Sequence, residues 1–287
     1  MTVVNTFPPW IKKTLSLNEM VHKTRSVIMG AGARTVCETS LCPNLNECFS
    51  KGHVTFIILG PSCTRSCSFC ASGPHGPFFS PDPEEGERIL NVVRTLSIHH
   101  VIITSVTRDD LPDGGSSHYG VVIEDLRAYD KGLSIELLVP DFNGNRTSVE
   151  RVASYRPAVF GHNIETVPRL YPSVRGRLAD YSRSLDVLRW AKESQPGLIT
   201  KSAMLLGFGE ELDEVIESMR DLRSAGCDML MIGQYLRPSG QQISVKRFVE
   251  PEEFARLEEE GYKMGFGSVS SGPFVRSSYN IKEIFTA

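Results

Sequence analysis

The chain has no apolar run near the roughly 20 residues that a bilayer-spanning helix needs, which excludes a helical membrane protein. It also lacks a strong excess of either charge. Its 31 basic and 34 acidic residues give a formal net charge of −3, too little positive field to attract nucleic acid or an anionic membrane surface. The opening stretch, MTVVNTFPPWIKKTL, is without the charged-then-apolar pattern of a secretory signal, so a cytoplasmic location is expected. Neither an internal repeat nor a low-complexity tract is present, which excludes solenoid and linker-like architectures. An even set of cysteines is missing too. Seven of them, with no export signal, argue against a disulfide framework and for reduced thiols available as ligands.

What is present is apolar residue enough, 40% of 287, for one large core: a single α/β barrel-type domain or two smaller units. From residue 54 onward, short apolar runs alternate with helical patterns. Val54–Leu59, Val101–Val106, Leu133–Pro140, Val159–Glu165, Ile199–Leu206 and Met229–Leu236 read as strands, because continuous Val, Ile, Leu and Met suit strands covered on both faces. Pro83–Leu96, Ser182–Glu193 and Glu211–Ala225 read as amphipathic helices, the last stopped by Gly226. Such alternation predicts a parallel sheet with right-handed crossovers. About six βα units fall short of the eight of a closed barrel, so the expected fold is α/β, a partial (β/α)6 TIM-type barrel over residues 54–238. Residues 1–53, with a helix over Leu17–Met29, and 239–287, with a helix over Pro251–Met264 and a Gly/Ser-rich end, read as extensions covering the barrel mouth.

Six of the seven cysteines fall between positions 37 and 70, in two triplets. Cys63, Cys67 and Cys70 form a C-x3-C-x2-C run on the loop after the first predicted strand, where active sites of parallel α/β folds sit. Three thiolates on one tight loop, with Phe69 just before the last, can hold three irons of a [4Fe–4S] cube and leave the fourth open to a chelating ligand. The alternative is a zinc site completed by a histidine such as His75. Zinc usually takes paired C-x2-C units, and only Cys67–Cys70 has that spacing. Cys37, Cys42 and Cys48 form a C-x4-C-x5-C run, open by itself to a second cluster, a zinc ion or a structural cross-link. Cys227, alone at a predicted helix end, reads as a buried small apolar residue.

The C-x3-C-x2-C loop resembles that of the radical S-adenosylmethionine enzymes. Taken with the first triplet and with HVIITSVTRDDLPDGG (100–115), ELLVPDF (136–142), HNIETVPRLY (162–171), IGQYLRPS (232–239) and SGPFVRSSY (271–279), the sequence resembles the lipoyl synthase family over nearly its whole length. Ala71–Ser72 and GQQIS (240–244) depart from the family pattern, in neither case at a cysteine.

The resemblance implies two [4Fe–4S] clusters and S-adenosylmethionine as cofactors. It makes Cys63, Cys67 and Cys70 the ligands of the catalytic cluster, with S-adenosylmethionine on its open iron. It gives the auxiliary, sulfur-donating cluster to Cys37, Cys42 and Cys48 with Ser278 of the RSSY motif, Ser277 being the fallback. Serine oxygen matches cluster iron less well than thiolate does, which suits an iron that has to be released. The implied reaction inserts two sulfur atoms at C6 and C8 of an octanoyl chain, amide-linked to a lysine of a lipoyl carrier protein or domain. Those carbons carry no acidic protons, so acid–base catalysis has no purchase on them. Ser105 would meet the methionyl amine, Asn163 and Glu165 the ribose hydroxyls, and Lys201 the methionyl carboxylate, with Phe69 at the cofactor. Each of these polar residues reads equally as a strand-end group or surface ion-pair partner. Arg108, Asp109 and Asp110 could cap the turn that follows them, GFGE (207–210) resembles a glycine turn near adenine, and His162 is either structural or catalytic. The expected partners are the octanoylated carrier and a low-potential electron donor of ferredoxin or flavodoxin type; no nucleic acid or membrane is expected, and a monomer suffices.

Overall fold

Among the described residues, seven strands build one sheet: β1 (Thr55–Ile58), β2 (His100–Ser105), β3 (Ser134–Leu138), β4 (Val159–Gly161), β5 (Thr200–Leu206), β6 (Met229–Gln234) and β7 (Ser268–Gly272). The computed structural model describes residues 7–13, 18–73 and 76–278, so His75 and Tyr279 lie outside the described residues. Every strand pairs parallel with the next in sequence, and β1 and β7 are the two edges, so the barrel is partial and open. Before β1 come α1 (Glu19–Ala31), α2 (Val36–Thr39) and α3 (Leu45–Ser50). The crossovers are made by α4 (Glu85–Leu96), α5 (Ser116–Tyr129), α6 (Arg146–Ser154), a short α7 (Tyr171–Val174) followed by α8 (Tyr181–Ser194), α9 (Leu212–Ser224) and α10 (Pro251–Lys263).

The local sequence explains these elements. Asn18 starts α1 by accepting from the Val21 amide, and Gly32, at φ 65°, ends it in the left-handed conformation that glycine adopts without strain. Asp180 caps α8 through the Arg183 amide, and Glu211 with Glu214 forms a reciprocal box at the start of α9. The helices bury one apolar stripe each against the outer face of the sheet: Ile89, Leu90, Val92 and Val93 of α4 join Val101 and Ile103 of β2 in one core. Period-2 alternation turns the intervening strand residues inward.

The six expected βα units are all present. The sheet nevertheless runs past residue 238, because Ser268–Gly272, in the segment expected to lie outside the barrel, pairs with β6 from Met229↔Ser268 to Gly233↔Gly272. Its sequence, SVSSG, has too little apolar content to announce a strand; the neighbouring edge supplies what propensity does not. At the other edge the N-terminal extension lies along β1. Thr35 bridges Phe56 antiparallel and the Ile57 amide donates to the Arg34 carbonyl at 3.0 Å, which covers the exposed edge.

Candidate functional site

The inward residues at the C-terminal ends of the strands enclose a cavity of about 320 Å³. Cys63, Cys67 and Cys70 line it from the loop after β1, Cys37 and Cys42 from the N-terminal extension, and Arg276, Ser277 and Ser278 from the tail after β7. Members of both triplets, separate in sequence, therefore open into one space. Cys48 does not line it, but lies near enough to Cys42 and Cys37 for their charges to act on one another. All seven cysteines are free thiols. Burial pushes the Cys37 thiol up to about 12 and those of Cys48 and Cys67 to about 11. Thiols so placed ionise only when a cationic partner such as a metal takes up the negative charge. Among the described residues no three His, Cys, Asp or Glu side chains converge on one metal ion. A four-iron cube asks for a different arrangement, with one thiolate on each of three separate irons.

The loop after β1 is braced from several sides. Leu59, at φ 69°, and Gly60, at φ 87°, turn the chain sharply, and the buried Glu85 carboxylate accepts from both of their amides. Gly73, at φ +90°, closes the loop, where a Cβ would stand 2.4 Å from the Pro61 carbonyl oxygen. Between the first two cysteines, Arg65 donates to both oxygens of Asp109 and, at 3.1 Å, to Asp141. A guanidinium gripped by two carboxylates is pre-organised in a way that a lysine in its place would not be. Asp109 thus holds Arg65 instead of capping a turn. Arg108 pairs with Asp110 at 2.7 Å and reaches back to the Leu59 carbonyl at 3.1 Å.

In the first triplet, Thr35 caps α2 through the Glu38 amide, and the Cys42 amide donates to the Cys37 carbonyl at 3.0 Å. Leu41, at φ 52°, makes the turn that brings both thiols to the same side. The tail approaches from the opposite edge. A Cβ on Gly233 of β6 would stand 2.1 Å from the Val275 carbonyl oxygen, so only glycine lets the tail lie there. Ser277 donates to Asn163 Oδ1 at 2.9 Å, whereas Ser278 continues along the cavity wall with Cys37 and Cys42.

Phe69, Ser105, Asn163 and Glu165 line the cavity. Phe69 meets Phe208 edge-on at 6.0 Å, and Phe208 lies on Tyr235 at 4.4 Å. The GFGE turn supports this wall, since Glu210 accepts from the Gly207 and Phe208 amides at 2.7 and 2.9 Å. Asn163 donates to Glu165 at 3.0 Å; burial raises the Glu165 carboxyl, opposed by Arg175 at 3.7 Å. His162 sits behind them at 2% exposure, with Nδ1 against the Val139 carbonyl at 2.8 Å, and burial lowers it to about 4, so it is neutral.

Lys201 is the exception. It faces inward on β5, but two residues below Ala203, the first residue of that strand to line the cavity, so it lies one layer beneath the floor. There it is fully buried and paired with Glu136, itself 1% exposed, on the inner face of β3. Its charge is met there by that carboxylate, and it does not line the cavity. Three arginines do line the cavity: Arg65, held by Asp109 and Asp141, Arg276, which donates to the Val275 carbonyl, and Arg175, beside Glu165 and with a buried Nε that has no partner among the described residues. The sequence signal for it was its place just after HNIETVPRLY, which by itself does not distinguish it from any basic residue near a helix end. Neither departure from the family pattern replaces a cysteine, but both touch Cys70 in space. The Ser72 amide donates to Cys70 Sγ at 3.3 Å, and Gln242 donates to the Cys70 carbonyl at 3.4 Å. Cys227 packs in the outer core, as its isolation predicts.

The sequence profile of the Radical SAM superfamily matches residues 57–222. Lipoyl synthase from Caldanaerobacter subterraneus subsp. tengcongensis is 48% identical over 275 residues, 95% of this chain and 95% of the relative. The chain belongs to the lipoyl synthase family. Two further members agree: lipoyl synthase from Chlorobium limicola is 48% identical over 98% of this chain and 95% of its own length, and that from Thermus thermophilus 44% over 97% and 86%. Solved structures carry the likeness of fold. Methylornithine synthase superposes with a TM-score of 0.54 at 15% identity, covering 94% of this chain and 88% of that one. Coproporphyrinogen III oxidase from Escherichia coli, a radical SAM enzyme, gives 0.51 at 12% identity, over 73% and 52%. Among the described residues no helix is long and apolar enough to cross a membrane.

Proposed function

We propose that the chain inserts two sulfur atoms, at C6 and C8, into an octanoyl group carried on a lysine of a lipoyl carrier protein or domain. The observation that carries this reading is the convergence of Cys63, Cys67 and Cys70, of Cys37 and Cys42, and of the serine tail on one cavity, with Cys48 close to Cys42. The residues fit two iron–sulfur clusters: three free thiols come from each of two loops, and orphaned buried polar atoms, His162 Nε2 and Arg175 Nε, belong to residues lining the space between. Cys63, Cys67 and Cys70 would hold the catalytic cluster, and Cys37, Cys42, Cys48 and Ser278 the auxiliary one. When bound, these clusters and S-adenosylmethionine supply the one-electron reductive cleavage and the sulfur.

The protein's own residues then position and shield. Asn163 and Glu165, joined to each other and to Ser277, present a fixed acceptor edge suited to ribose hydroxyls, and Ser105 a hydroxyl suited to the methionyl amine. Arg175 takes the carboxylate role first expected of Lys201, because its guanidinium lines the cavity with Nε unpartnered among the described residues, whereas Arg65 is held by Asp109 and Asp141, Arg276 donates to the Val275 carbonyl, and Lys201 does not line the cavity. Phe69, Leu138, Leu205 and Met231 give the wall an apolar surface for an octanoyl chain and keep water from reactive species. The involvement of the Ser277 hydroxyl with Asn163 favours Ser278 as the fourth ligand. The same reading takes the enzyme as a cytoplasmic monomer that draws electrons from a ferredoxin or flavodoxin.

Anaerobic turnover with reductant, S-adenosylmethionine and an octanoyl-lysine peptide tests it. Lipoyl product is expected, at no more than about one per chain without cluster repair. Formation of 5′-deoxyadenosine with no sulfur in the peptide would point to another substrate. Ser278→Ala is expected to keep 5′-deoxyadenosine formation and lose about tenfold or more in sulfur insertion, as for removal of a ligand held in place by its neighbours; unchanged insertion would refute the ligand role.

A further inference from the structure

Asn44, in the loop between Cys42 and Cys48, begins α3 without capping it by its own side chain. Asparagine at this place normally accepts from an amide one turn into the helix. Here the side chain is turned the other way and is 1% exposed. Its Nδ2 donates to the Phe274 carbonyl at 2.7 Å, and its Oδ1 accepts from Lys13 Nζ at 2.5 Å. Lys13 also meets Glu47 at 2.5 Å and lies 4.9 Å from the centre of the Phe274 ring. Three segments remote in sequence, the strap before α1, the first cysteine loop and the tail after β7, therefore meet at one buried amide.

We propose that Asn44, oriented by Lys13, is the positioning residue that seats the C-terminal tail on the first cysteine loop. Phe274 stands just ahead of Ser277 and Ser278, so the clasp fixes where their hydroxyls arrive. Opening it withdraws the tail without altering a thiol. The consequence, which rests on the cluster assignment proposed above, is that the auxiliary cluster alone becomes open to solvent. The loop of Cys63, Cys67 and Cys70, anchored separately by Arg65, stays closed.

Asn44→Asp isolates the clasp. Aspartate is a favoured residue at a helix start and keeps the link to Lys13 as an ion pair, so α3 and the strap are retained. Only the donor to the Phe274 carbonyl is lost, and a carboxylate oxygen faces that carbonyl instead. The full-length protein, reconstituted and handled anaerobically, is treated with trypsin and, separately, with an iron chelator. Cleavage after Arg276, read by mass spectrometry, is expected to rise about tenfold or more while other sites are unchanged. Roughly half of the iron is expected to become labile. Gly233→Ala, which crowds the tail from the β6 side with Asn44 intact, calibrates the assay by releasing the same bond. Lys13→Met is expected to move both readouts the same way by less. Resistance after Arg276 in Asn44→Asp, with cleavage in Gly233→Ala, overturns the clasp. Increased cleavage in a protein whose parent holds only one cluster's worth of iron upholds the clasp and overturns the ligand assignment instead.

Discussion

Replacing Cys37, Cys42 and Cys48 together by alanine is expected to abolish sulfur insertion, remove about half of the iron, and leave reductive cleavage of S-adenosylmethionine in place. The reason is spatial. All three thiols of the second triplet and two of the first line one cavity, but the triplets hang from different supports. The first depends on the cap of α2, the Leu41 turn and contact with the tail; the second depends on Glu85, the Arg65–Asp109–Asp141 grip and the closing turn at Gly73. Loss of one set of thiols therefore leaves the other loop's geometry intact. With the first triplet gone, about four of about eight irons should remain, and 5′-deoxyadenosine should still form. The converse replacement of Cys63, Cys67 and Cys70 should remove both products. Iron and sulfide analysis, with chromatography of nucleoside and peptide, separates the two cases. Lipoyl product from the Cys37/Cys42/Cys48 variant would show that the sulfur comes from elsewhere.

The sequence was most informative where local pattern and chemistry coincide. Strands β1 to β6 carry continuous apolar runs because both faces are covered, and each is found within a few residues of its expected place. The cysteine loops were legible because spacing on a short loop constrains thiolate positions directly. What stayed hidden depends on long-range register. SVSSG becomes β7 only because the edge of β6 is there to pair with it. Arg65, Asp109 and Asp141 look unrelated until the ends of β1, β2 and β3 bring them together. Asn44 and Phe274, 230 positions apart, leave no trace of their contact in either local sequence. Lys201 misled for a related reason. Its alternation with Ala203 and Leu205 gives the face correctly, but depth along the barrel axis depends on how neighbouring strands are staggered, and that is not written in one strand.

This depth leads to the second large effect. Lys201→Met is expected to destabilise the fold by about 3–5 kcal/mol, as for removal of one partner of a buried ion pair, because the Glu136 carboxylate is left 1% exposed with no full charge opposite. At this chain length the anaerobic thermal midpoint should fall by about 5–8 °C. The double variant Lys201→Met/Glu136→Gln removes both charges, so its loss should be much smaller than the sum of the two single losses; the cycle measures that coupling. In whatever fraction remains folded, S-adenosylmethionine affinity by equilibrium dialysis should match the parent, since the side chain lies beneath the cavity floor. Arg175→Met should do the opposite, weakening cofactor binding by more than it lowers the midpoint. A Lys201→Met protein of parental stability that binds S-adenosylmethionine poorly would return the carboxylate contact to Lys201. The two variants thus distinguish a charge that holds the barrel together from one that faces what the barrel binds.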